Sequence, residues 1–324
     1  MNNTIDIKEN EILKLDRQLL TILLKDNSSK KNIIWATDNY EPLGDSYRSD
    51  SEIMVESIAG ENGTIIRPRV SKTRDEQLSR VKDKAEVFTP SWICNKQNNL
   101  VDNAWFGSVE VFNIESDKGW TTLERPVIFP SQSGKSWQEY IQDVRLEISC
   151  GEAPYLASRY DTISGDPIPV NNRIGLLDRK LRIVSENTTD EQDWIKWAKV
   201  AFQSIYGYEW QGDNLILARE NLLYTLLDFY KAKFNSTPPK SDTREIAKII
   251  SWNIWQMDGL KGVIPNSCTS TIKQSTDLFG GVEQITEQCV GCQKGDIHKH
   301  NGIYCKIKDW QTGGTLKFVS LLKQ

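Results

Sequence analysis

The chain has no run approaching the ~18 uninterrupted apolar residues of a membrane-spanning helix, so no membrane role is expected. Its N-terminus shows neither the charged-then-apolar pattern nor the cleavage site of a secretory leader, and the expected location is the cytoplasm. Cysteine is scarce. Six in 324 residues do not make the disulfide scaffold of a small secreted protein. An excess of positive charge is missing too, the formal net charge being −4. A protein that wraps nucleic acid needs clustered Lys and Arg facing the phosphates, so any contact with DNA must be local or shared with a partner. Internal repeats and low-complexity tracts are absent, and the composition is that of a folded protein rather than a disordered one.

The length suffices for one large or two ordinary domains. Ile12, Leu15, Leu19, Leu20, Leu23 and Leu24 recur at helical spacing and predict an amphipathic helix over 5–25, the start of a mostly helical N-terminal segment spanning 1–80. The basic stretch 67–84 reads as a solvated face, because Asp75, Glu76 and Asp83 dilute its charge. From Val144 onward, short apolar runs alternate with long amphipathic helices, the pattern of an α/β domain with a largely parallel sheet. Strands are predicted at 145–149 and 204–210. Ile174, Leu177, Leu181 and Val184 mark one helix, and Thr189 with Gln192 forms a capping box for the next. A further helix is expected over 214–234, ended by the Ser-Thr-Pro-Pro-Lys-Ser run at 236–241. Trp194 and Trp197 read as core or interface anchors rather than base-stacking platforms.

In such a fold a nucleotide-type cofactor sits beyond the carboxyl ends of the strands, where a glycine turn admits the ligand and an acid on the next strand accepts from ribose hydroxyls. Leu146-Glu-Ile-Ser-Cys-Gly-Glu-Ala-Pro-Tyr-Leu156 has the shape of that turn. Together with Lys84-Ala-Glu-Val-Phe-Thr-Pro90, Ser204-Ile-Tyr-Gly-Tyr-Glu-Trp210 and Ile250-Ser-Trp-Asn-Ile-Trp-Gln-Met-Asp-Gly-Leu260, it resembles the ordered motifs of DNA adenine-N6 methyltransferases of restriction-modification systems. The resemblance covers roughly 80–265, counted from motifs of the dinucleotide-turn type. It implies a Rossmann-like class I methyltransferase sheet with helices on both faces, over 81–265, followed by a C-terminal extension over 266–324. S-adenosyl-L-methionine is the implied cofactor. Phe88, Thr89 and Pro90 match the element preceding the cofactor loop, and Glu147, Cys150, Gly151, Ala153 and Tyr155 match the loop, with Ala153 in place of its second glycine. Glu209 takes the ribose-binding position and Asp258 the one that reaches the adenine amine. Asp178 competes with Glu209, because Glu209 lies about sixty residues past Gly151 where about twenty is usual, which requires a helical insertion.

The family's catalytic Asn/Asp-Pro-Pro-Tyr/Phe loop, which accepts the N6 hydrogens of a flipped adenine and stacks on its ring, has no counterpart here. Pro238-Pro239 lies in the wrong context, and Asn253-Ile-Trp-Gln256 would be a degenerate version without the prolines. In longer relatives the loop follows a strand like Ile303-Tyr-Cys-Lys-Ile-Lys-Asp-Trp310 and an apolar stretch like 316–322. The resemblance therefore implies that a second polypeptide supplies the catalytic loop and target recognition, and that DNA is the shared partner. A catalytically silent relative acting as an interaction module is the alternative.

Cys289, Cys292, His300 and Cys305 crowd together in a chain with only two histidines, and point to a closed structural zinc site, with His298 as an alternative to His300.

Overall fold

Three parallel strands form the central sheet: β1 (Arg145–Glu147), β2 (Ile205–Glu209) and β3 (Ile254–Gln256), in that spatial order. Arg145 pairs with Ile205 and Glu147 with Gly207, while Gly207 and Glu209 pair with Ile254 and Gln256. The computed structural model describes residues 9–84, 89–132, 134–276 and 282–322. Parallel neighbours require crossovers, and each here contains two helices. α5 (Leu176–Asn187) and α6 (Glu191–Gln203) join β1 to β2, and α7 (Gly212–Phe234) and α8 (Lys240–Asn253) join β2 to β3. The insertion that the distant Glu209 required is thus a loop followed by α5. The chain is a mixed α/β fold with a small parallel sheet.

The helices form where the apolar spacing predicts them, with differences at their ends. The N-terminal stretch is two helices, α1 (Glu9–Leu15) and α2 (Arg17–Leu24), broken at Asp16. Asp16 is extended, accepts from the Gln18 amide at 3.0 Å as the N-cap of α2, and pairs with Arg244 at 2.5 Å. Residues 5–8 lie outside the described residues. α6 is capped by Asp190 accepting from the Asp193 amide, one residue past the expected Thr189 box. At β3 the helix runs on to Asn253, so the strand is short and Asp258 follows it.

α7 is buried along most of its length and forms the spine of the core. Its Arg219 guanidinium donates to the carbonyls of Ile254, Leu23, Lys25 and Ser251, fastening α2 to the edge of β3. Leu19, Leu20, Leu23 and Leu24 accordingly share one apolar core with the sheet helices. Trp194 is enclosed against Tyr230, and Trp197 packs on Trp137, as core anchors should.

Two polar interfaces differ from expectation. Within the basic stretch, α3 (Arg74–Lys84) carries Arg80 inward, where it and Lys72 are buried against Asp213 at the start of α7. The solvated-face reading fails for these two because their counter-charge is far away in sequence. α4 (Ser91–Phe106), which follows Thr89 and Pro90, buries Asn95, Asn99 and Asp102 rather than Trp92 and Ile93. Arg179 on α5 binds all three, pairing with Asp102 at 2.5 Å, and Tyr140 donates to Asp102 at 2.8 Å.

One face of the sheet is covered by these helices. On the other, an antiparallel pair, Lys306–Lys308 with Thr315–Lys317, lays Cys305, Ile307, Leu316 and Phe318 over Tyr206, Tyr208 and Trp255. That cover stops short of β1, whose flanking aliphatics Val144, Leu146 and Ile148 are 63%, 44% and 66% exposed. No helix among the described residues is long and apolar enough to cross a membrane.

Candidate functional site

The carboxyl ends of all three parallel strands converge with an acid at or just beyond each: Glu147, Glu209 and Asp258. The turn after β1 alternates left-handed positions at Ser149 (φ 48°), Gly151 (φ 53°) and Ala153 (φ 63°). Ala153 occupies the position of the expected second glycine in the backbone region that glycine tolerates best. Cys150 lies against Gly207, where an added Cβ would come within 3.3 Å of its sulfur, so the bare glycine lets the turn close onto β2. The Gly151 amide donates to Glu209 Oε2 at 2.9 Å, and the Gln211 amide donates to Oε1 at 3.1 Å. The structure therefore brings the predicted turn and the predicted ribose acid into direct contact.

Glu147 Oε1 accepts weakly from the Tyr155 amide at 3.4 Å, while its Oε2 is buried and has no hydrogen-bond partner among the described residues. Burial pushes the Glu147 carboxyl well above the usual carboxylate range, against the amides of Tyr155 and Leu156, and the charge of Glu209 adds to the rise. Burial also raises Glu209, opposed by the amides of Gln211, Gly151 and Trp210. The same burial, with both glutamates nearby, drives the Cys150 thiol far above its ordinary value, which makes it a packing group and not a nucleophile.

Thr89 and Pro90 sit beside this turn. The Thr89 carbonyl accepts from the Thr162 hydroxyl at 2.7 Å, and the Tyr155 phenol meets Thr89 and Cys94. Phe88 lies outside the described residues. Asp258 is buried, accepts from the Leu260 and Lys261 amides, and pairs with the Lys261 ammonium at 3.1 Å. Asp178 is elsewhere: it heads α5, where Oδ2 accepts from the Ser158 amide and hydroxyl and from the Gly175 amide. Through these bonds it holds the loop at Ser158 onto the start of the helix. Gln256 was not singled out from the sequence. Its side-chain amide bonds both backbone groups of Ile34 and the Trp210 carbonyl, which seals the N-terminal segment against β3.

The degenerate catalytic loop is excluded by packing. Asn253 donates to the carbonyls of Phe202 and Ile205 at 3.0 Å and accepts from the Trp310 indole at 2.8 Å, and Trp255 is buried under the C-terminal strands. Neither can meet a base.

In the C-terminal extension, Cys268, Cys289, Cys292 and His300 offer ligand atoms within 4.8 Å of one another and could hold a metal ion. The three sulfurs stand 3.6, 3.5 and 3.6 Å from His300 Nδ1. Cys305 is a correction: it is fully buried beneath β3 and donates to the Gln256 carbonyl at 3.2 Å, because its strand turns that side chain into the core. His298 is not in the cluster either. Cys268, its replacement, lies across the Thr271–Thr276 and Val282–Glu287 hairpin, so only tertiary structure reveals it. Gly291 and Gly302 permit the approach, since a Cβ there would collide with His300 and with Cys268 and Ser267. Although burial opposes it, the amides of Asn301 and Cys292 and the side chains of His300 and Cys268 bring the Cys289 thiol down to about 6. No protein-family model matches this chain, and neither a curated protein nor a solved structure matches it.

Proposed function

We propose that this chain is the S-adenosyl-L-methionine-binding part of a site-specific DNA adenine-N6 methyltransferase of a restriction-modification system, working in the cytoplasm with a second polypeptide that carries the catalytic loop and target recognition. The observation that carries the reading is the pair of buried acids, Glu147 and Glu209, on adjacent strand ends across the Gly151 turn, with Glu147 Oε2 unpartnered. A buried carboxylate with one oxygen unpartnered and no counter-charge is costly, and a ligand bringing hydroxyl donors and positive charge relieves it. S-adenosylmethionine brings both, in its ribose and in its ammonium and sulfonium groups. Glu209 suits the ribose hydroxyls, Glu147 a donor of the methionine end, and Asp258 the adenine amine. Thr89, Pro90, Gly151, Ala153 and Tyr155 would wall the pocket, with Cys150 packed behind it.

The order β1-β2-β3 with paired crossover helices is what one half of a Rossmann-like methyltransferase sheet would provide. Parallel sheets are normally covered on both faces and continued at their edges. Among the described residues β1 pairs with β2 alone, and it exposes Val144, Leu146 and Ile148. A strand of the second polypeptide, leading into its Asn-Pro-Pro-Tyr-type loop, would pair there and place the target adenine beside the cofactor. DNA contacts would come chiefly from that partner, given the net charge of −4.

Zinc is the metal proposed for the cysteine-histidine site. Tetrahedral bonds of about 2.3 Å to sulfur and about 2.0–2.1 Å to nitrogen put S and N roughly 3.5 Å apart. The three measured separations agree with that geometry.

Burial of Asn253 and Trp255 also favours a second reading, a silent methyltransferase-like module that binds protein or DNA without catalysis. Calorimetric titration with S-adenosylmethionine separates the two. Wild type and Asp178→Ala are expected to bind at micromolar level and Glu209→Ala to lose binding by at least about tenfold, the scale of a hydrogen bond to a charged group. Absence of binding by wild type, alone and with a partner bearing the catalytic loop, would sink the enzyme reading.

A further inference from the structure

We propose that the cysteine-histidine metal site is a pin that sets the position of Asp258, so that metal occupancy governs the nucleoside end of the cofactor pocket while leaving the Glu147–Glu209 end unaffected. This rests on the cofactor reading above for its binding readout, but not for its structural one.

Two short segments connect the metal ligands with Asp258. One runs from Asp258 to Cys268 and the other from His300 to Cys305. The first closes on itself where the Asp258 amide donates to the Val263 carbonyl at 2.8 Å, and the two are joined by backbone pairing: Ile264 donates to Ile303 at 2.8 Å, Cys305 to Gly262 at 3.0 Å, and Val263 bridges Tyr304. The Ser267 hydroxyl spans them again, accepting from the Ile303 amide and donating to the Ile264 carbonyl. At the far end of this pairing, the first segment finishes in the ligand Cys268 and the second begins with the ligand His300. The His300 amide donates to the Tyr304 hydroxyl at 2.9 Å, which donates in turn to the Ile297 carbonyl at 3.0 Å, locking the ligand's backbone to the pairing.

A metal bonded to both ligands closes the open end of that ladder. Without it, three cysteine side chains and an imidazole lie within 4.8 Å of one another, and no coordinate bond fastens Cys268 to His300. The pairing then keeps its few backbone bonds, the Ser267 hydroxyl and the exposed Thr269–Asn301 bonds, and the turn bearing Asp258 keeps its local bonds, the half-exposed Lys261 and the Met257 amide on the Glu209 carbonyl. β1 and β2 are anchored chiefly by the core packed around α5 and α7, and β2 meets the metal-bearing segments only at its end, where the Met257 amide donates to the Glu209 carbonyl at 2.9 Å, and on one face, where Tyr206 and Tyr208 pack with Ile264 and Cys305 among the described residues.

The test uses the full chain loaded with zinc and then stripped by a chelator, with Cys292→Ser as a second route because that ligand is exposed. Backbone hydrogen exchange is followed at 258–264 and 300–305 against 145–147 and 205–209, beside titration with S-adenosylmethionine. Stripping is expected to speed exchange by at least about tenfold in the first pair of segments while the strands keep their protection. It is also expected to weaken S-adenosylmethionine binding about tenfold, a penalty that Asp258→Ala reproduces and does not add to. Unchanged exchange at 258–264 would overturn the pin, and so would equal loss of protection in β1 and β2, which would make the metal a general stabiliser. Failure of zinc to bind would overturn it as well. A local exchange response in a protein that never binds S-adenosylmethionine would uphold the pin and remove the cofactor reading instead.

Discussion

Glu209 and Asp213 lie four positions apart around the start of α7, both are buried, and the fold treats them in opposite ways. Asp213 receives Arg80, Lys72 and the Tyr40 hydroxyl, and although burial works to raise its carboxyl, those cations hold it below the ordinary aspartate value. Glu209 and its neighbour Glu147 have backbone amides but no cation among the described residues, and both are raised. Burying a charge is tolerable only with a counter-charge and full hydrogen bonding. Where the architecture needs a permanent anion it delivers cations from a distant helix; at the strand ends it leaves the acids for a ligand to satisfy. The contrast separates a structural acid from a binding one by partner set alone.

The largest test of this contrast is Asp213→Asn. It removes the carboxylate that Arg80 and Lys72 share in the interior, and the expected loss is about 3–5 kcal/mol in urea unfolding. The stabilisation from a depressed carboxylate exists above the unfolded value and disappears as pH falls through the folded one, so the gap between wild type and variant should shrink in acid. A loss below about 1 kcal/mol would show that water already neutralises this cluster.

Glu147→Gln should move in the other direction. A raised carboxylate contributes its stability below the unfolded pKa and loses it as pH rises through the folded value, so the wild type is penalised at neutral and alkaline pH. The variant is expected to be more stable there by about 1–3 kcal/mol, converging with wild type in acid, and to bind S-adenosylmethionine more weakly. Equal stability at alkaline pH would mean that the protein itself satisfies Glu147, and the contrast would collapse. The smallest effect is Ala153→Gly, which relieves a left-handed backbone at φ 63° and should stabilise by about 1 kcal/mol in thermal unfolding. No gain would place the strain elsewhere in the turn.

What the sequence made legible was whatever depends on neighbours a few residues apart. Short apolar runs between stretches of helical spacing placed β1, β2 and the helices around them, and the Cys150-Gly151 bend with an acid before it located the turn. The breaks came where distant residues decide. Asp16 splits the first helix because Arg244 meets it from α8. Lys72 and Arg80 look solvent-seeking until Asp213 is placed beside them. Cys305 is close to His300 in sequence, yet its strand directs it under β3, while Cys268 reaches the cluster from beyond a hairpin. Spacing along the chain measures proximity in one dimension, and the facing of a side chain on a strand is invisible to it without the partner strand.

The bare flank of β1 also governs how this protein behaves in a tube. An edge that no strand among the described residues pairs with, and that exposes Val144, Leu146 and Ile148, is a template for any other extended chain, including another copy of itself. Solubility should therefore fall with concentration faster than a net charge of −4 alone would dictate. A single Lys at position 146 would cure the stickiness, at the cost of whatever the edge is there to receive.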